Sequence, residues 1–139
     1  MILDSSEVSL ADWGSKPAIE VYPGAKLASP AVALKGKPVK VVKRTITTKR
    51  DMICLLLSNR RTLQGTADQK VCIWKAGGTK GIEMRCVKIG QKLTGAVDGV
   101  KTLVTVTGLM HLNDREERVV DFEIDGRHAY VAEGVWCLS

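Results

Sequence analysis

The side chains in this sequence best suited to chemistry are four thiols, two imidazoles and a dense run of cations. Cys54, Cys72, Cys86 and Cys137 are separated by 18, 14 and 51 residues, without a CxxC pair, and His111 and His128 lie apart in the chain. A metal centre needs closely spaced ligands that converge on one ion, so this pattern predicts no metal and no cofactor. Each cysteine stands among apolar neighbours (MICLLL, KVCIW, MRCVKI, VWCLS), the setting of a small buried thiol rather than a reactive one. The cations Lys35, Lys37, Lys40, Lys43, Arg44, Lys49, Arg50, Arg60 and Arg61 give residues 35–61 a net charge of +8, whereas residues 1–34 sum to −2 and residues 109–139 to −4. In KGKPVKVVKRTITTKR the charges alternate with Val and Ile, which predicts the solvent face of a β-ribbon. The competing reading is an electrostatic patch for DNA or an acidic protein surface, although no stacking aromatics or glycine clamp accompany it.

The elements that position these groups read as β throughout. A chain of 139 residues, 45% hydrophobic and 26% charged, is one globular domain spanning 1–139 rather than a disordered chain. Helical periodicity is hard to find, whereas short Val/Ile/Thr-rich runs recur between Gly, Pro, Asn and Asp. Strands are expected near 6–11, 17–29, 38–48, 51–58, 61–65, 69–74, 82–86, 91–96, 100–107, 117–124, 127–132 and 134–138. Turns are expected at Trp13-Gly14, Gly36, Ser58-Asn59, Gly77-Gly78, Asp98-Gly99 and Asp125-Gly126. The start, MILDSSEVSL, turns polar at once, and no apolar run approaches the roughly 20 residues that cross a bilayer, so a soluble protein of cytoplasmic origin is expected.

The chain also repeats itself. IEVYPGAKLAS at 19–29 resembles MRCVKIGQKLTG at 84–95, with Gly24 and Gly90 matching at an offset of 66. The same offset sets Asn59 opposite Asp125, and each half carries a ribbon, VKVVKRTITT or VKTLVTVT. Two halves related by a pseudo-twofold axis follow, and exchange of their terminal strands would bring the chain ends together. The apolar ending VWCLS then reads as a central strand instead of a fraying tail.

Taken in order, these segments resemble the Hint fold of hedgehog and intein domains, and more narrowly a mini-intein without an endonuclease domain. SSEVSLADWGSKPAIEVYPGAKLAS resembles the first intein block, LQGTADQKV the block written T-x-D-H-x-V, and VVDFEIDGRHAYVAEGVWCLS the last two blocks. The resemblance implies an all-β, horseshoe-like fold and places the family's reactive positions. A first-residue Cys or Ser attacks the preceding carbonyl, a histidine polarises that bond, and a penultimate His assists an Asn that cyclises. In this sequence those positions carry Met1, Gln69, Leu138 and Ser139, while Thr66, Asp68, Asp121 and His128 keep the family's residue types.

Three functions are weighed on that basis. The first is a splicing-inactive, non-enzymatic module with protein partners, used as a structural part of a phage or virus particle (capsid decoration, head or tail) or as a homo-oligomer. The second is a self-processing domain with a shifted nucleophile, Ser5, Ser6 or Cys137; Ser139 read as the residue after the junction would put Leu138 in place of the Asn, and cyclisation would still be impossible. The spacing from Met1 to Trp13-Gly14 disfavours Ser5 and Ser6. The third is a nucleic-acid binder using the basic run, with affinity that falls as salt rises.

Overall fold

The computed structural model describes residues 1–29, 38–76, 78–125 and 129–139. The strands among them are β1 (Ile2–Leu3), β2 (Glu7–Ser9), β3 (Ser15–Pro17), β4 (Lys26–Leu27), β5 (Val39–Lys49), β6 (Met52–Leu57), β7 (Thr62–Thr66), β8 (Lys70–Lys75), β9 (Gly78–Glu83), β10 (Lys92–Val97), β11 (Val100–Leu112), β12 (Glu117–Ile124), β13 (Ala129–Ala132) and β14 (Val135–Leu138). All pairings are antiparallel, and the strands form one open sheet in the order β3-β2-β13-β14-β8-β10-β11-β6-β7-β1-β12-β5-β4, with β9 added on β8. The all-β expectation is borne out, and strands are present at the expected places outside 17–29 and 82–86.

The repeat is visible atom by atom. Two 3-10 turns, Ala18–Glu20 and Met84–Cys86, stand 66 residues apart. Each leads to a glycine in the left-handed region, Gly24 with φ 95° and Gly90 with φ 93°, where a side chain would be strained. The Gly24 N–H donates to the Val41 carbonyl at 2.7 Å and the Gly90 N–H to the Val106 carbonyl at 2.8 Å. After each ribbon the halves exchange partners. β6 pairs with β11 of the second half, and β12 pairs with β5 of the first over eight registered positions.

The turns replace what the sequence suggested were strands at 17–29 and 82–86. Pro17 sets a φ of −55° at the first turn, and the buried pairs Ala18/Val21 and Met84/Val87 are spaced i, i+3, which a 3-10 turn places on one side. That geometry leaves Cys86 exposed, unlike the buried Cys54, Cys72 and Cys137. β11 runs to Leu112, past the expected end at residue 107, and the register slips between Val106 and Gly108, where Leu56 packs over the glycine; a Cβ there would lie 2.7 Å from Leu56 Cδ1. The Asp98-Gly99 turn has φ 48° and 81°, the two positive values of a type I′ hairpin. The expected turn at Gly36 and the glycines Gly77 and Gly126 lie outside the described residues.

β14 fulfils the expectation for the chain's end. It pairs with β13 and β8 and touches β10, and its Val135, Trp136 and Cys137 are buried. Phe122 of β12 meets Tyr130 of β13 edge-to-face at 5.5 Å, joining this strand group to the main core. No helix among the described residues is long and apolar enough to cross a membrane.

Candidate functional site

Strand exchange places β1 between β7 and β12, and β14 beside the start of β8. The first residue, the β7–β8 turn and the last residues therefore reach one place, an open pocket of about 600 Å³ lined in part by Met1, Thr66, Asp68, Gln69, Asp121, Leu138 and Ser139. β1 can approach because position 65 is glycine. A Cβ at Gly65 would lie 3.0 Å from the Met1 carbonyl oxygen and 2.8 Å from Met84 Sδ. The Thr66 N–H then donates to the Met1 carbonyl at 3.0 Å, and the Gln69 N–H closes the turn onto the Thr66 carbonyl at 3.0 Å.

Gln69 is buried, and its amide spans the two ends of the chain. Its Oε1 accepts from the Met1 ammonium at 2.6 Å, while its Nε2 donates to the Leu138 carbonyl at 2.9 Å and to the Lys70 carbonyl at 2.9 Å. Three partners fix both ends of the amide, so which atom is oxygen follows from the network. The Thr66 hydroxyl accepts a longer contact from the Met1 ammonium at 3.4 Å and donates to Asp68 Oδ1 at 2.7 Å. That donated hydrogen bond is the chief reason the Asp68 carboxyl lies below its ordinary range, with the Met1 ammonium and Lys49 adding to it. Burial lowers the Met1 ammonium, opposed by the charges of Asp121 and Asp68. Thus the pocket holds an amide donor aimed at one carbonyl, an anionic carboxylate and a desolvated amine.

Of the positions the resemblance singled out, Met1, Thr66, Asp68, Gln69, Asp121, Leu138 and Ser139 come together, and His128 lies outside the described residues. The shifted nucleophiles fare differently. Ser5 and Ser6 are absent from the pocket, and Ser6 is buried beneath the first 3-10 turn, where its carbonyl accepts from Ala18 at 2.8 Å. The Cys137 thiol is buried, and desolvation pushes its pKa up to about 12, so it stays protonated and unreactive at neutral pH. No motif pointed to Arg85 at the rim. It lines the pocket and grips Glu83 through two contacts of 2.8 and 2.9 Å.

The described cations of the basic run do not share one surface. Arg44 donates to the Ile19 and Val21 carbonyls and stacks over Tyr22 at 4.4 Å, which makes it a clasp on the first 3-10 turn. Lys49 and Arg50 line the end pocket, and Arg50 reaches Glu116 at 3.8 Å. Arg60 and Arg61 occupy the opposite end of the β6–β7 hairpin, where Arg61 lies 3.6 Å from Glu133. Lys40 and Lys43 are exposed on β5, and Lys35 and Lys37 lie outside the described residues. Among the described residues no group of three or more His, Cys, Asp or Glu side chains is placed to hold a metal ion.

An open antiparallel sheet, a pseudo-twofold exchange of strands and chain ends that meet in a polar pocket define the Hint fold of inteins. The chain matches a DnaB intein from Synechocystis sp. PCC 6803 with a TM-score of 0.82 at 16% identity, covering 99% of this chain and 96% of that one. A bacterial intein-like domain from Clostridium thermocellum matches with a TM-score of 0.81 at 16% identity, over 99% of this chain and 97% of that one. The Msm DnaB1 intein splicing domain, described as bound with zinc, matches with a TM-score of 0.74 at 17% identity, over 100% of both chains. No family model and no curated protein sequence matches the chain.

These neighbours correct the expectation of a non-enzymatic domain. All three are inteins or intein-like domains, and one is described as a splicing domain. The residues at the family's reactive positions, Met1, Gln69, Leu138 and Ser139, line one pocket, and Gln69 joins the two chain ends within it.

Proposed function

We infer that the domain is a self-processing Hint domain that performs acyl chemistry on the peptide bonds at its own ends, with a nucleophile other than a first-residue thiol. One observation carries this reading: a single buried side chain, Gln69, hydrogen-bonds both the nitrogen of Met1 and the carbonyl of Leu138. A domain that breaks bonds at its ends requires such an arrangement, since a fixed donor at a reacting carbonyl stabilises the developing oxyanion without reorganisation. The substrate is the flanking polypeptide, and no diffusible cofactor enters this chemistry. Placement in a phage or virus particle has no residue behind it in this structure.

The test is a fusion carrying a short peptide before Met1 and another after Ser139. Intact mass over a long incubation at neutral pH should show a product cut at one of the two junctions. A folded fusion whose mass never changes would sink the self-processing reading.

A further inference from the structure

The attacking atom follows from the groups that reach the pocket. Cys137 is buried with a thiol that stays protonated, and the Thr66 hydroxyl is committed to Asp68 Oδ1 at 2.7 Å. Ser139 is exposed at the pocket and directly follows Leu138, whose carbonyl is the one that accepts from Gln69 Nε2 at 2.9 Å. Gln69 is 4% exposed and pinned at Oε1 and Nε2 alike, so its donor is held in place before any charge develops. We propose that Ser139 is the nucleophile of a cleavage at the Leu138–Ser139 bond, with Gln69 as the oxyanion donor.

Ser139 Oγ attacks the Leu138 carbonyl carbon through a five-membered ring, and Gln69 Nε2 holds the oxygen that becomes negative. The C–N bond then breaks as the hydroxyl proton passes to the Ser139 nitrogen, leaving the Leu138 acyl group as an ester on Ser139 Oγ and a free amine on Ser139. Water hydrolyses the ester. The domain is left ending in a Leu138 carboxylate, and the released peptide begins with Ser139.

This proposal rests on the self-processing reading, and the doubly flanked fusion separates the two. With hydroxylamine present, the expected product is the domain ending in a Leu138 hydroxamate, because hydroxylamine traps an ester. Ser139→Ala should abolish this product, and Ser139→Cys should form it faster and make release respond to added thiol. Gln69→Glu keeps the size and an acceptor but loses the donor, and removing one such donor should slow cleavage by about 100-fold or more. If the Gln69 variant does not fold, as judged by its melting transition, the Ser139 pair decides. Cleavage confined to the Met1 junction, or cleavage after Leu138 that survives Ser139→Ala, overturns the proposal and leaves self-processing standing. Inert junctions at both ends in folded protein, Ser139→Cys included, overturn both.

Discussion

Thr66 and Asp68 couple a side chain's acidity to the fold, because the buried hydroxyl donates to a carboxylate that the turn holds beside it. A carboxyl whose folded pKa is depressed contributes stability that is fully present above its unfolded value and is lost as pH falls through the folded value. For Asp68 that window opens below roughly pH 4, the ordinary carboxyl range, and closes at the lowered folded value. Thr66→Val removes the chief cause of the shift, so its melting temperature should fall less between about pH 4 and pH 2 than that of the unaltered chain. Parallel melting curves for the two proteins across that range would show that the hydroxyl does not set the acidity. At this scale the sequence was partly legible. Thr66 and Asp68 could be placed by motif, but the role of Gln69 depends on Met1 and Leu138, 68 and 69 residues away, and no local pattern reports contacts of that range.

The elements depend on close backbone approaches as much as on apolar pattern. Gly95 of β10 pairs with Val135 of β14, and a Cβ built on it would fall on the Gly134 carbonyl, which is backbone and cannot swing aside. Gly95→Ala should therefore push β14 away from β10 and destabilise the domain by about 1–3 kcal/mol, read as a lower denaturant midpoint. An unchanged midpoint would mean that the contact relaxes without cost and that β14 is held by β13 and β8 alone. The same closeness explains which elements could be foreseen. Alternation in VKVVKRTITTK and the buried run MICLLL announced β5 and β6, whereas β1, two residues long, and β3, three, are too short to show a period. The 3-10 turns were hidden because Ala18/Val21 and Met84/Val87 are single i, i+3 pairs inside otherwise strand-like segments.

At the scale of the molecule, the offset of 66 between Gly24 and Gly90 revealed two related halves, and the apolar ending VWCLS required that the chain's end be internal. Which strands cross over was beyond the sequence, because β5 and β11 carry similar Val/Thr alternation and either half's hairpins satisfy it. The exchange has a consequence for assembly. β12 covers β5 at eight registered positions from Glu117–Lys49 to Ile124–Val41, and it also flanks β1 through Ile2–Val120. Residues Asn113 and Asp114, between β11 and β12, are exposed and outside any strand, so the chain can be divided there without cutting a ladder. A fragment 1–113 would lack β12, β13 and β14 and leave the hydrogen-bonding edges of β1, β5 and β8 that they pair with open. A fragment 114–139 would carry the buried residues Val119, Val120, Phe122, Tyr130, Val135 and Trp136 with nothing to pack against. Mixed together, the two should form a one-to-one complex with the circular dichroism of the intact chain, while each alone should lack a cooperative melting transition. Cooperative folding of fragment 1–113 by itself would show that the exchanged strands are an addition to a self-sufficient sheet rather than the means by which the halves hold each other.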